Sequence, residues 1–371
     1  MFRDAGHTSN GDGALPSRPV GAVGNRAATD PTAPSPRPRW RRIVVLAITG
    51  VCFYVFAPSL AEVFEAWDRL GDVQPLALLA VFACEVLSFA CVWQLQRIAL
   101  RTTDWFSVAT SQLAANAFSR VVPGGGATST AFQARMLADA GFRPMTAASA
   151  LTVQSLMITA AVAALPVFAL PAIIFAGLDV PGSLADGAWI GISLFLVMLA
   201  VGALLLGSRK FACRLGTFIQ RIANALPRET VLTDLGEKLL EERDEIRRTM
   251  GARWLPALGA AIGRWAFEFF ALQITLDAIG ADPNPFLVLL AFAFGAALTM
   301  IPFTPGGLGF VEAGLTGALV VAGISAGEAV LATLVFRLMS FWLPMPVGAG
   351  AAYLFRRRHP RKARTQGSAR G

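Results

Sequence analysis

Residues 285–323 read PFLVLLAFAFGAALTMIPFTPGGLGFVEAGLTGALVVAG. Almost every side chain is apolar or small and Glu312 carries the one charge, so the stretch belongs in hydrocarbon rather than in water. It does not read as one straight helix. Pro302, Pro305, Gly306, Gly307 and Gly309 interrupt its middle, where proline removes a backbone donor and glycine favours a turn. Backbone broken at membrane depth is tolerable only where protein or a water-filled cavity satisfies it. The stretch therefore reads as a re-entrant helical hairpin with Pro305-Gly306-Gly307 at its tip.

The same pattern occurs once earlier. Residues 105–143 are apolar on both sides of Pro123-Gly124-Gly125, and the two regions share a register. Leu137, Gly141 and Ala147 follow the first tip proline by 14, 18 and 24 residues, and Leu319, Gly323 and Ala329 follow the second by the same intervals. Units 75–170 and 254–355 each read as span, hairpin, span, which makes them candidates for an internal repeat.

Composition agrees with a membrane protein. Of 371 residues, 55% are hydrophobic and 15% charged, and mean hydropathy is +0.57, too little polar surface to cover a soluble domain of this length. The net charge of +8 does not imply nucleic acid, because the basic residues flank apolar runs and fill the chain ends without forming one face. Cys52, Cys84, Cys91 and Cys213 lack metal-ligand spacing, and no disulfide framework is implied. His7 and His359 are the two histidines, both in polar tails. No cofactor, metal centre or imidazole-based catalysis is expected.

Residues 1–38, rich in Gly, Pro, Ser and Arg, read as a disordered tail, and residues 357–371 as a basic tail. The first apolar run starts too far in for a cleaved leader and reads as a retained span. Spans are expected at 43–60, 75–97, 146–170, 187–207, 254–276 and 326–355, each near the ~20 residues that cross hydrocarbon. The fold class is thus all-α: a polytopic bundle of six spans plus two Pro-Gly-Gly re-entrant hairpins, within a membrane domain at 39–356. The linker 208–253 reads as a cytoplasmic helical segment on the membrane surface.

Lys and Arg cluster before residue 43, at Arg97 and Arg101, between 209 and 253, and after Phe355, whereas the alternate loops hold only Arg69. Both termini are then cytoplasmic. That orientation makes 105–143 a hairpin from inside and 285–323 one from outside, so the two units form an inverted repeat, a plan of transporters whose sites lie at the repeat interface.

Ionisable residues at membrane depth are expensive and mark candidate sites. They are Glu85, Arg120, Arg135, Arg264, Glu268, Glu312 and Arg337. Arg264 and Glu268, at i,i+4, also suit a self-neutralising pair, and Arg120 and Arg135 suit side chains snorkelling to the cytoplasmic surface. Arg337, in an apolar span ahead of Pro344 and Pro346, reads as holding an anionic head group or anchoring Glu312.

The run IPFTPGGLGFVEAGLTGALVVAGISAGEAVLATLVFRLMSFWLP, residues 301–344, resembles the C-terminal signature of the lysylphosphatidylglycerol synthase transmembrane region family, and PGGGATSTAFQARMLADAGF, residues 123–142, resembles its first motif. The resemblance covers roughly 40–356 and implies a flippase-like domain that moves a lipid between leaflets. It carries substrate-binding roles to Pro305, Gly306, Gly307, Gly309, Glu312 and Arg337, with Gly323 also on the motif. It likewise marks Glu268 in the preceding span, and Pro123, Gly124, Gly125 and Arg135 in the first motif; Arg264 joins them as the partner of Glu268. Gln154-Ser155 stand where the family often has an acidic-arginine pair. The chain ends fifteen residues after Arg356, so the aminoacyl-transfer domain of the name-giving synthases is not expected in it.

The sequence reading is a non-enzymatic lipid transporter of the cytoplasmic membrane, with an anionic head group near Arg135, Glu312 and Arg337. Two alternatives stay open: a polyprenyl-phosphate-linked sugar as substrate, or a scaffold for a membrane enzyme partner. The oligomeric state is open too.

Overall fold

The computed structural model describes residues 75–122, 125–169, 180–225, 253–300 and 305–359, together with isolated positions at 175, 177, 236–237, 240–241, 243–244 and 251. The span expected at 43–60 and the tail 1–38 lie outside the described residues, as does most of the linker after residue 225. Among the described residues every regular element is helical. The helices are α1 (Pro75–Leu100), α2 (Trp105–Val121), α3 (Gly125–Asp139), α4 (Pro144–Ala164, extended by a 3-10 turn Leu165–Ala169), α5 (Gly182–Gly207) and α6 (Arg209–Ala225). After the linker come α7 (Trp254–Ala278), α8 (Pro285–Leu298), a 3-10 turn Pro305–Gly307, α9 (Phe310–Val321), α10 (Ala326–Arg337) and α11 (Pro344–Arg358).

Among the described residues, five stretches are long and apolar enough to cross a membrane: 75–100, 144–169, 182–205, 254–278 and 326–358. Their outward faces are what lipid requires. On α5, Ile190, Leu194, Val197 and Leu199 are each more than half exposed, a belt that water would not tolerate. The last stretch carries the span expected at 326–355, and it is interrupted. A π-helical turn, Leu338–Trp342, separates α10 from α11, because Pro344 can neither donate to the preceding turn nor accommodate its carbonyl.

The hairpin arms are short. At 17, 15, 14 and 12 residues, α2, α3, α8 and α9 reach only about 18–25 Å, less than the ~30 Å of hydrocarbon. Local chemistry fixes their ends. Asp104 caps α2 by accepting from the Ser107 N–H at 3.1 Å, and Asn284 caps α8 through the Phe286 N–H at 3.0 Å, each replacing a missing intrahelical acceptor. The second arms end alike: Gly141 and Gly323 adopt φ +98° and +97°, and the next N–H reaches back to Leu137 at 3.0 Å or Leu319 at 3.1 Å. This is the glycine-terminated C-cap. Leu137, Leu319, Ala147 and Ala329 are all fully buried.

Contacts within and between the stretches 75–170 and 254–355 mirror one another. α1 packs on α7 more extensively than any other pair, α1 on α4 is matched by α7 on α10, and α2 on α11 is matched by α8 on the Leu165–Ala169 turn. α1 and α7 run antiparallel: Gly263 abuts the Cys91 sulfur and, one residue on, Arg264 donates to Ser88 Oγ at 3.0 Å. α2 and α11 are antiparallel as well, touching through Ser107 and His359 at one end and, beyond α11, through Arg120 and Ser340 at the other. Gly348 permits that approach, since a Cβ there would collide with the Leu113 carbonyl and lie 2.6 Å from Ala117 Cβ.

Candidate functional site: a charged cavity where the hairpins meet

The arms α2 and α8 converge on a cavity of about 520 Å³. α2 contributes Asn116 and Arg120, α7 contributes Arg264 and Glu268, and the second tip contributes Gly306 and Gly307. Phe292, Phe336 and Phe341 supply apolar wall. The tip fits because its glycines take left-handed conformations, φ +65° at Gly306 and +74° at Gly307. A Cβ on Gly306 would stand 2.7 Å from the Phe341 ring, so only glycine lets this turn lie against the aromatic.

Three arginines organise the charge. Arg337 Nε donates to Glu312 Oε1 at 2.7 Å, and its Nη2 reaches the Gly306 carbonyl at 3.4 Å. The two side chains are 8% and 15% exposed, and Glu312 sits in the first turn of α9, where the helix dipole favours a carboxylate. Arg264 pairs with Glu268 and bonds Ser88, while the neighbouring Trp265 donates to the Ile158 carbonyl on α4 at 3.0 Å. Arg120 Nη2 donates to the Ser340 carbonyl at 2.9 Å, but its Nη1 has no hydrogen-bond partner among the described residues. The guanidinium groups of Arg120 and Arg337 both rest over the Phe341 ring, 4.4 Å from its centroid, a cation–π arrangement. The π turn after Arg337 is what brings Ser340 and Phe341 to this wall.

The arrangement thus offers an anion one guanidinium face with a free donor, held in place by an aromatic ring and a carbonyl. Asn116 Oδ1 and Glu312 Oε2 are also without partners among the described residues. Among the described residues no cluster of three or more His, Cys, Asp or Glu is placed to hold a metal ion.

Several residues singled out from the sequence converge here: Arg264, Glu268, Gly306 and Gly307 line the cavity, and Glu312 and Arg337 pair behind it. Gly309 serves as the N-cap of α9, with φ +75°, and Pro305 opens the 3-10 turn. That turn delays the helix to Phe310, so its N-terminus does not follow the Pro-Gly-Gly directly, as it does at Gly125. Pro123 and Gly124 lie outside the described residues. Arg135 is not brought to the cavity: it is exposed on α3 and lines a separate cleft of about 250 Å³ with Arg356 and His359. Arg120, three residues before the first tip, takes the place beside Arg337. The sequence offered that arginine with two readings, and Phe341 carried no signal beyond standing four residues after Arg337.

At the positions that match Glu312 and Arg337 in register, the stretch 75–170 carries uncharged residues. By the shared register Ser155 corresponds to Arg337, each 32 residues past its tip proline, and Thr130 to Glu312, each 7 past it. In their neighbourhood α1–α4 contribute one glutamine each: Gln133 donates to Gln96 at 3.1 Å and to Gln112 at 2.7 Å, and Gln154 donates to Gln112 at 3.2 Å.

Membrane-length apolar helices and paired hairpins around a buried charged cavity define a multi-pass helical membrane protein. Within that class, the chain belongs to the family described as the lysylphosphatidylglycerol synthase TM region, whose sequence model matches residues 42–348. Curated relatives include UPF0104 membrane proteins of Methanothermobacter thermautotrophicus (strain Delta H). One is 30% identical over 95 residues, covering 26% of this chain and 27% of the relative; another is 32% identical over 91 residues, covering 24% and 27%. The matched segment spans about a quarter of each relative's length.

Proposed function

We propose that the chain is a flippase-like transporter that moves a lipid with an anionic head group between leaflets of the cytoplasmic membrane, and that it does so without enzymatic chemistry. The observation that carries this reading is the cavity at the junction of the two hairpins, where Arg120 keeps an unused donor over Phe341. The head group occupies the cavity and the acyl chains stay in the bilayer beside the apolar faces. The antiparallel packing of α1 against α7 and the matched caps at Gly141 and Gly323 support an inverted repeat, with the two units rocking about their interface to open the cavity to each side in turn. The loop charges favour cytoplasmic termini. The substrate contacts expected at Arg135 pass, in this reading, to Arg120.

Reconstitution tests it. Vesicles containing the pure protein and a fluorescent phosphatidylglycerol should show leaflet exchange well above empty vesicles, reduced about tenfold or more in Arg120→Ala, as loss of a charge-assisted bond of about 1.5–3 kcal/mol implies. Exchange equal to that of empty vesicles, or undiminished in Arg120→Ala, would refute the reading.

A further inference from the structure

We propose that Glu85 is a proton-binding site that links proton uptake to occupation of the cavity by the anionic head group; the inference rests on the translocation reading above. Glu85 lies in the middle of α1 and is 3% exposed. Among the described residues neither of its oxygens has a hydrogen-bond partner, and both are shut off from solvent. The other two glutamates of the cluster are each held by an arginine, Glu268 by Arg264 and Glu312 by Arg337. Glu85 has none.

The groups facing it are few. α7 presents Arg264 and Glu268, α2 presents Arg120, and Cys84 precedes it on its own helix. α4 and the π turn, which also pack on α1, contain no titratable residue. Arg264 is committed to Glu268 and Ser88, and Arg120 gives one donor to the Ser340 carbonyl while its free Nη1 makes no hydrogen bond to Glu85. On its other side Glu85 borders an apolar cleft of about 130 Å³ formed with Phe82, Phe89, Trp93 and Leu113. A carboxylate buried without a donor is costly, and protonation removes that cost. Because both oxygens are shut off from solvent, a proton can reach them where a hydrated cation cannot.

Protonation changes what the cavity presents. With Glu85 neutral, Arg120, Arg264 and Arg337 stand against Glu268 and Glu312 alone, which leaves one positive charge for an anion. With Glu85 ionised the cluster is balanced and that attraction is lost. A proton and a singly negative head group therefore favour each other's binding, and the linkage is reciprocal. Glu85 takes up a proton from the side on which the head group binds and returns it to water on the side where the head group leaves, so one proton travels with each lipid.

The test uses vesicles carrying fluorescent phosphatidylglycerol, with and without a pH gradient acidic on the probe's side. Wild-type exchange should rise about fivefold or more with the gradient, and Glu85→Gln, whose amide is permanently neutral, should exchange at one rate under both conditions. A wild-type rate that ignores the gradient, or a Glu85→Gln rate that follows it, overturns the proposal. Infrared spectra of the protein in lipid nanodiscs give a reading independent of transport. A protonated-carboxyl band present in wild type and missing from Glu85→Gln is expected, and identical spectra overturn the site. No exchange by either protein would remove the translocation reading and the coupling role with it, while the infrared band would still report the proton site.

Discussion

Arg337 and Glu312 are mostly buried, and each is the other's ion partner. In such a pair the mutual attraction repays desolvation only while both members are present, so removing one strands the other. Arg337→Ala should therefore cost about 3 kcal/mol of stability, measured by thermal unfolding in detergent. Arg337→Met combined with Glu312→Gln should recover most of that loss, because no lone charge remains. Additive losses across the double-mutant cycle would show that the two side chains do not act as a unit. The sequence announced this pair for a simple reason, since few ionisable residues fall inside apolar runs and each is conspicuous. It could not announce Phe341, one aromatic among many, nor choose the inward orientation of Arg120 over snorkelling. That choice depends on Ser340, whose carbonyl comes within reach across 220 residues of chain.

At the scale of elements, glycine decides how closely helices approach. Gly348 on α11 meets the Leu113 carbonyl and Ala117 of α2, whereas Gly317 on α9 has nothing within 4 Å of where a Cβ would stand. Gly348→Ala should force α11 away from α2 and lower the unfolding temperature, while Gly317→Ala should be neutral or stabilising by up to about 1 kcal/mol, since it removes glycine's entropic penalty within a helix. Equal effects in one melting experiment would contradict the packing described. The helices 75–100, 182–207 and 254–278 could be read from apolar length because the bilayer sets that length. At Leu338–Trp342 the prolines Pro344 and Pro346 marked a kink, but not its π form. Pro344 can begin a new helix as easily as kink an old one, and the π turn ahead of it carries Phe341 to Gly306.

Over the whole molecule, the two units share backbone detail but differ in chemistry. Their caps at Gly141 and Gly323 superimpose in torsion and hydrogen bonding, yet the charged pair Arg337–Glu312 has Ser155 and Thr130 as its counterparts by register, among buried glutamines. The site itself is asymmetric: residues 75–170 contribute Arg120 and Glu85 to its charge, and residues 254–355 contribute Arg264, Glu268, Glu312 and Arg337. If the units are inverted, the loops just past these caps lie on opposite sides of the membrane. A protein with Cys52, Cys84, Cys91 and Cys213 replaced by serine or alanine, carrying either Arg143→Cys or Ser325→Cys, separates the possibilities. Both positions are exposed. In intact cells an impermeant thiol reagent should label the cysteine at 325 and spare that at 143, and in inside-out vesicles the pattern should reverse. Labelling of both from one side would make the units a parallel pair, and rocking about their interface would then no longer expose one cavity to two faces in turn.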